Sequence, residues 1–190
     1  MRDVHHMQIS AILRGDSIRW HLLGLVAGLG LPDCWIAAGF VRNAVWDALH
    51  NRAPRPPLCD VDVIWFDPDR SQEWHDRSLE DALRVAAPSI DWSVKNQARM
   101  HTRNNDPPYQ SATDAMRYWP ETATAVAARR SGRDQIEIAS PLGLDDLFNL
   151  VLRPTQRFIT EKLAIYDERI SSKDWTTEWP LLACTKPLAK

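Results

Sequence analysis

Two aspartates open a hydrophobic stretch of the chain, in the segment CDVDVIWFD that runs from Cys59 to Asp67. Asp60 and Asp62 are two positions apart, so in a β-strand both carboxylates lie on one face. Carboxylates this close repel each other unless a cation lies between them. The pair therefore predicts a site for Mg²⁺, with Mn²⁺ as the alternative, because both ions prefer oxygen ligands. A solvated strand end is the competing interpretation.

A second group of residues, AAGFVRN, precedes this pair and indicates an anion site. Ala38 and Gly39 leave the backbone open at the start of a predicted helix, where free N–H groups and the helix dipole favour a phosphate. Arg42, one turn into the helix, offers a fork of donors to the same anion. An anion site beside a dication site is what nucleotide transfer from a triphosphate requires. The predicted ligand is therefore a nucleoside triphosphate.

The segment IDWSVKNQARM alternates polar and apolar residues and predicts a strand over 91–100 with one wet face. Lys95 and Arg99 lie on that face. They are candidates for triphosphate contact, and a solvated strand face explains them equally well. Asn96 falls on the apolar side, where a buried amide must find partners, so we expect it to tie the strand to a loop.

The periodicity of apolar residues predicts the helices and strands that hold these candidate residues in place. It predicts helices at about 17–29, 41–50, 71–86 and 161–171, strands at about 34–38 and 61–66, and a hairpin that turns at Ser131 and Gly132. Helices and strands mix without a regular βαβ rhythm, which favours an α+β fold with a mixed β-sheet flanked by helices. We expect one domain over 1–190, with the motifs in about 16–103 and a second half over about 104–190.

Composition and charge disfavour several classes of protein. The 190 residues carry a formal net charge of −2 and show no basic stripe, which disfavours an extended nucleic-acid-binding surface. No apolar run approaches the roughly 20 residues of a membrane span. The three scattered cysteines do not form a disulfide framework. We therefore expect a cytoplasmic protein with no membrane partner.

The two motifs resemble those of the nucleotidyltransferase superfamily that includes DNA polymerase beta and the CCA-adding enzymes. The CCA-adding form reads G-G-x-V-R-D, followed by D-x-D after a proline-containing loop. Here Ala38 and Asn43 replace the first Gly and the Asp; alanine fits unless the position requires a positive φ. WSVKNQARMH, WPETATAV, GLDDLF and KDWTTEWP resemble a bacterial branch of uncharacterised nucleotidyltransferase-like proteins, over about 34–180.

This resemblance implies Mg²⁺-dependent nucleotidyl transfer to an unknown hydroxyl or phosphate acceptor, with release of pyrophosphate. It also implies a third catalytic, metal-binding carboxylate from a neighbouring strand, for which Asp91 is the first candidate and Glu137 the second. The residues from Ser111 onward are expected to shape the acceptor side, with Trp119, Trp175 and Trp179 as either a platform for a base or core filling. The alternative is a nucleotide-binding or protein-interaction module that keeps the fold without turnover.

Overall fold

A mixed β-sheet forms the centre of the computed structural model, which describes residues 2–185 of the chain. Five strands of this part of the chain make up the sheet: β1 (Trp35–Ala37), β2 (Val61–Trp65), β3 (Trp92–Asn96), β4 (Ala127–Arg130) and β5 (Ile136–Ala139). Their order is β3-β2-β1-β4-β5, with β2 and β3 parallel and the other neighbours antiparallel. The prediction of an α+β fold with a mixed sheet flanked by helices is confirmed.

Helices precede, connect and follow these strands. They are α1 (Arg2–Gly15), α2 (Ser17–Ala27), α3 (Gly39–Leu49), α4 (Glu73–Ala86), α5 (Gln97–Asn104), α6 (Ala112–Ala115), α7 (Asp145–Phe148), α8 (Gln156–Thr160), α9 (Leu163–Lys173) and α10 (Trp175–Glu178). The four predicted helices correspond to α2, α3, α4 and α9, whereas α1 and α5 were not predicted. Within residues 2–185, no helix combines the length and apolar character needed to cross a membrane.

Two further short strands, β6 (Val151–Leu152) and β7 (Ala183–Cys184), pair in parallel near the C-terminal end. The predicted hairpin is also present: β4 pairs with β5, and Ser131 N–H donates to the carbonyl of Gln135 in the turn. Its outer strand β5 forms one edge of the large sheet, and β3 forms the other.

The strand predicted over 91–100 is wrong beyond Asn96, where the chain turns into α5. Oδ1 of Asn96 accepts the N–H of Ala98 at 3.0 Å and caps this helix. Nδ2 of the same side chain donates to the carbonyls of Asp67 and Arg70, so the expected tie between strand and loop is confirmed. The hydrogen bond that caps α5 therefore ends the strand at Asn96, although the alternation of polar and apolar residues continues beyond it.

Alternation along β2 sorts its side chains onto two faces of the sheet. Val61, Val63 and Trp65 are fully buried in the main core, which α3 also enters with Phe40, Val41, Val45 and Trp46. Asp62 and Ile64 point to the opposite face, where a smaller apolar cluster forms around Ile64. The sheet thus holds Asp62 on the face away from the main core.

Candidate functional site

The turn between β1 and α3 has a backbone conformation that glycine adopts most easily. Ala38 has φ 55° and ψ −125°, a strained region that costs a residue with a side chain roughly 1–3 kcal/mol. A Cβ added at Gly39 would lie 2.7 Å from Sγ of Cys59, so glycine is needed for the close approach of these segments. No side chain caps the start of α3. The turn therefore presents an open helix N-terminus.

Asp60 and Asp62 lie at the amino end of β2. Asp60 is exposed and Asp62 is half-buried, in register with Ala37 of β1 and Ser93 of β3. Burial, together with repulsion from Asp60, raises the pKa of Asp62 to about 6. A cation bound between the two carboxylates would remove this repulsion.

Both aspartates line a polar cleft of about 440 Å³, here called the aspartate cleft. Its walls come from the β1–α3 turn, from the segment that leads into β2, and from the region of α9 and α10. The lining residues are Ala38, Gly39, Arg42, Asn43, Leu58, Cys59, Asp60, Asp62, Arg169, Lys173, Trp175, Glu178 and Trp179. The first two walls correspond to the two sequence motifs. Of the third wall, the sequence named Trp175 and Trp179 as an aromatic platform or core filling, and missed the charged residues Arg169, Lys173 and Glu178.

Arg42 is buried in a wall of this cleft, and each of its guanidinium nitrogens already makes one hydrogen bond. Nε and Nη2 donate to Oδ1 of Asn43 at 3.1 and 2.9 Å, and Nη1 donates to Oγ1 of Thr124 at 2.7 Å. The guanidinium lies 4.7 and 4.4 Å from the ring centroids of Trp46 and Trp175. Burial lowers the pKa of Arg42 to about 10, so it stays charged at neutral pH. Its contact with a phosphate stays a prediction.

Helix α9 brings two further cations to the aspartate cleft. Arg169 and Lys173 are four positions apart, hence on one helix face, and both line the cleft. Nε of Arg169 donates to Oε1 of Glu121 at 2.6 Å, and its guanidinium lies 5.3 Å from the ring centroid of Trp175. The predicted helix ended at Ser171, which hid the i, i+4 spacing that could have identified the pair.

An ion-pair network around the buried Asp47 holds α10 against α3. Nη2 of Arg55 donates to Oδ1 of Asp47 at 2.6 Å, and Nε1 of Trp179 donates to the same oxygen at 2.9 Å. Glu178 accepts from Arg52 at 2.9 Å and lies 2.7 Å from Arg55. Although burial raises the pKa of Asp47, the bonds from Arg55 and Trp179 outweigh that effect and lower it. The network therefore fixes the third wall of the aspartate cleft to α3.

A second cleft, of about 230 Å³, meets the aspartate cleft at Ala38, Asp62 and Arg169. This Trp119 cleft is lined by Ala38, Asp62, Val63, Ile64, Ser93, Lys95, Gln97, Met100, Asn104, Trp119, Pro120, Thr124 and Arg169. Lys95 therefore faces the second cleft, where its Nζ donates to the carbonyl of Val94 at 3.0 Å and lies 3.7 Å from Glu80. Its contact with a triphosphate stays a prediction.

Three other candidate residues line neither cleft. Arg99 lies on α5 and donates to the buried carboxylate of Asp76. Asp91 is exposed just before β3. Glu137 pairs with Arg129 at 2.6 Å on β5, three strands away from β2. The roles proposed for Arg99 and Asp91 in binding stay predictions.

Asp60 and Asp62 fit a magnesium ion that shares its ligands with a substrate. Mg²⁺ is commonly held by one or two carboxylates, with phosphate oxygens and waters completing the octahedron. Within residues 2–185, no group of three His, Cys, Asp or Glu side chains is arranged to hold a metal ion. The donor set therefore suits an ion that enters with a phosphate ligand, and does not form an all-protein cage.

The chain is similar to known proteins over most of its length. A family profile described as Nucleotidyltransferase matches residues 24–184, a span that contains all three walls of the aspartate cleft. The chain belongs to this nucleotidyltransferase family. It is 35% identical to a protein whose NMR structure reveals a CCA-adding enzyme head domain, with a TM-score of 0.85 over 95% of this chain and 96% of that chain.

These two findings support nucleotidyl transfer as the general activity of this nucleotidyltransferase. A chain from a tRNA-processing enzyme complex is also similar, at 17% identity and a TM-score of 0.50, over 87% of this chain and 43% of that chain. At that identity the likeness concerns the fold alone. A comparison with curated proteins gives no match.

Proposed function

We propose that this protein transfers a nucleotide from a nucleoside triphosphate to a hydroxyl or phosphate acceptor, in a reaction that requires Mg²⁺ and releases pyrophosphate. One observation carries the proposal: two carboxylates and an open helix N-terminus line the same 440 Å³ cleft. The carboxylates attract a dication, and the helix N-terminus attracts a phosphate. A magnesium-bound triphosphate satisfies both.

The triphosphate would lie in the aspartate cleft, with its phosphates near the start of α3. There the backbone N–H groups after Ala38 would bind phosphate oxygens, and the missing side chain at Gly39 would let the phosphate approach closely. The permanent charge of Arg42 would strengthen the positive potential at this end of the cleft. These residues bind and orient the ligand.

Asp60 and Asp62 would hold the ion. When bound, Mg²⁺ neutralises charge on the α-phosphate and on the leaving pyrophosphate. With a pKa of about 6, the Asp62 carboxylate is mainly charged at neutral pH and therefore available as a ligand. Mn²⁺ would substitute, because it accepts the same oxygen donors.

The acceptor would enter through the Trp119 cleft. In-line displacement places the attacking oxygen and the leaving group on opposite sides of the α-phosphorus, and the two clefts meet at Asp62. The acceptor oxygen would form the new bond to the α-phosphorus as the bond to the pyrophosphate oxygen breaks, and a hydroxyl acceptor would lose its proton to water. Trp119 supplies a half-buried aromatic surface, and Gln97 and Asn104 supply neutral hydrogen-bonding groups.

A second candidate function is nucleotide binding without turnover. The observation that supports this alternative is that, among residues 2–185, no third carboxylate joins Asp60 and Asp62 in a metal-binding group. A third carboxylate can activate the acceptor hydroxyl, so a site with two would bind a metal-bound nucleotide more readily than it would transfer one. Under this alternative the cleft is a nucleotide sensor.

Calorimetry with each of the four ribonucleoside triphosphates, with and without Mg²⁺, tests the proposal. The wild type is compared with the Asp60→Asn, Asp62→Asn double variant, and Asp69→Asn serves as a control because it removes an exposed carboxylate outside both clefts. We expect metal-dependent binding in the wild type and the control, and none in the double variant. Binding that survives in the double variant would refute the assignment of the metal site.

Transfer itself is measured with a triphosphate labelled at the α-phosphate, incubated with RNA, protein and small-molecule fractions. Label that becomes covalently attached to one fraction, and requires both aspartates, identifies a transferase and its class of acceptor. Tight metal-dependent binding with no transfer to any fraction would favour the sensor.

A further inference from the structure

We propose that Arg169 and Lys173 of α9 form a polyphosphate site in the aspartate cleft, which binds the terminal phosphates of the triphosphate. This inference rests on the proposed function for the identity of the natural ligand. It assigns the side-chain contacts with the terminal phosphates to the C-terminal region, whereas the sequence motif would assign a side-chain contact to Arg42. The two arginines differ in exposure and in the N–H donors that remain unengaged.

Arg169 has a free donor edge. Glu121, which is fully buried, engages it through Nε alone, at 2.6 Å. Neither terminal nitrogen of Arg169 donates to an acceptor among residues 2–185. The side chain is 31% exposed, so these two nitrogens can reach a ligand. A guanidinium held at Nε and open at its terminal nitrogens presents the fork that binds phosphate oxygens.

Arg42 has less to offer. Each of its three guanidinium nitrogens already donates, to Asn43 or to Thr124, so three of its five N–H groups are engaged. The residue is also only 4% exposed. Its contacts with aromatic rings include Trp175, which Arg169 also contacts. Arg42 is therefore a positioning residue, which holds Trp175 where the ring can support the guanidinium of Arg169.

Lys173 adds an exposed positive charge one helical turn beyond Arg169. It is exposed, lines the same cleft, and has no ion pair within the described part of the chain. Four positions of helical spacing place both cations on one face of α9. The pair therefore forms a row of donors along one wall.

The charge balance of the cleft favours a polyanion. Glu178, the acidic residue of the C-terminal wall, is already paired with Arg52 and Arg55. Asp60 and Asp62 would be neutralised by the dication of the proposed function. The positive charges of Lys173 and Arg42 would then be unbalanced, and a chain of linked phosphates would neutralise them.

The competing explanation is that Arg169 serves only to neutralise Glu121. The two explanations predict different results for two variants. Arg169→Lys keeps a positive charge opposite Glu121 but loses the fork, so a purely structural role predicts unchanged phosphate binding. Lys173→Ala removes a side chain without a described partner, so a structural role for Arg169 predicts no effect there at all.

The experiment is calorimetric titration of the full chain with inorganic tripolyphosphate in EDTA. It is made in the Asp60→Asn, Asp62→Asn double variant, which removes the two negative charges that the dication would otherwise neutralise and isolates the cation pair from the metal site. We expect this double variant to bind tripolyphosphate far more tightly than orthophosphate. Adding Lys173→Ala or Arg169→Lys to it should weaken tripolyphosphate binding by about tenfold, the loss of roughly one charge-assisted hydrogen bond. Adding Arg77→Ala, which removes an exposed positive charge on α4, is the matched control and should leave the affinity unchanged.

Equal tripolyphosphate affinity in the double variant with and without Lys173→Ala or Arg169→Lys would overturn the inference, as would the absence of binding to the double variant. Because this background lacks the metal ligands, its result does not depend on whether a nucleotide is ever transferred. The wild type in EDTA should bind tripolyphosphate more weakly than the double variant, because its two carboxylates line the same cleft and repel the anion. Equal or tighter binding by the wild type would place the anion outside this cleft and also overturn the inference.

Discussion

Replacing Asp62 with asparagine should stabilise the folded protein in the absence of metal. The side chain is half-buried next to Asp60, and these two effects raise its pKa to about 6 from an ordinary value of 3.8. Asp62 therefore binds its proton more tightly in the folded chain than in the unfolded chain. Its contribution to stability is greatest below pH 3.8 and is lost as the pH rises through about 6.

The size of the effect follows from the pKa difference. At roughly 1.4 kcal/mol per pKa unit, the rise to about 6 costs at most about 3 kcal/mol of unfolding free energy well above pH 6. Around pH 5 the cost falls to about half of that, because the folded protein is then mostly protonated at this site. Asparagine carries no charge and avoids the cost, so the gain should grow with pH.

Urea unfolding in EDTA measures this gain at about pH 5 and about pH 8 for the wild type, Asp62→Asn and the control Asp69→Asn. We expect Asp62→Asn to gain about 1–3 kcal/mol at the higher pH and clearly less at the lower pH, and Asp69→Asn to show no such trend. Mg²⁺ added with a nucleoside triphosphate should stabilise the wild type beyond the triphosphate alone, and this metal-dependent gain should be absent in Asp62→Asn. A destabilised Asp62→Asn at pH 8 would refute the reasoning.

Three further substitutions test the turn and the third carboxylate. Gly39→Ala should lower the free energy of unfolding, measured by urea titration, by about 1–3 kcal/mol and weaken triphosphate binding, because the added Cβ would lie 2.7 Å from Sγ of Cys59. Gly15→Ala is the control: nothing lies within 4 Å of its added Cβ, so it should not be destabilised in the same titration. Ala38→Gly should raise the thermal midpoint, by a gain of about 1 kcal/mol as backbone strain is relieved; a lower midpoint would contradict the strain argument. Asp91→Asn should keep most metal-dependent triphosphate binding in calorimetry, because Asp91 is exposed and lines neither cleft; a loss as complete as that of the double variant would instead identify it as a ligand.

The sequence predicted the part of the site that local patterns encode. Gly39 and the D-x-D spacing of Asp60 and Asp62 follow from rules that act over a few residues, namely close approach and strand alternation. The structure brings these residues together in one cleft. From the sequence, alanine is expected to fit at position 38 unless the turn requires a positive φ. The backbone angles show that the turn does require one.

Two errors have physical causes that a single sequence hides. At Asn96 the alternating pattern continues into α5, and the cap that ends the strand depends on loop carbonyls more than 25 residues away. At Arg169 the decisive partner is Glu121, 48 residues earlier in the chain. Neither partner can be identified from sequence spacing, since both contacts are made by the tertiary fold.

The contacts of Trp175 have a consequence for the order in which the protein folds. Its ring touches Arg42, which is more than 130 residues earlier in the chain. Bringing together two residues that lie so far apart in the sequence costs conformational entropy. Contacts between such residues therefore tend to form after local structure. During synthesis, the central sheet can therefore assemble before α9 and α10 leave the ribosome. A nascent chain would carry both aspartates on a formed strand while its nucleotide cleft still lacked a wall.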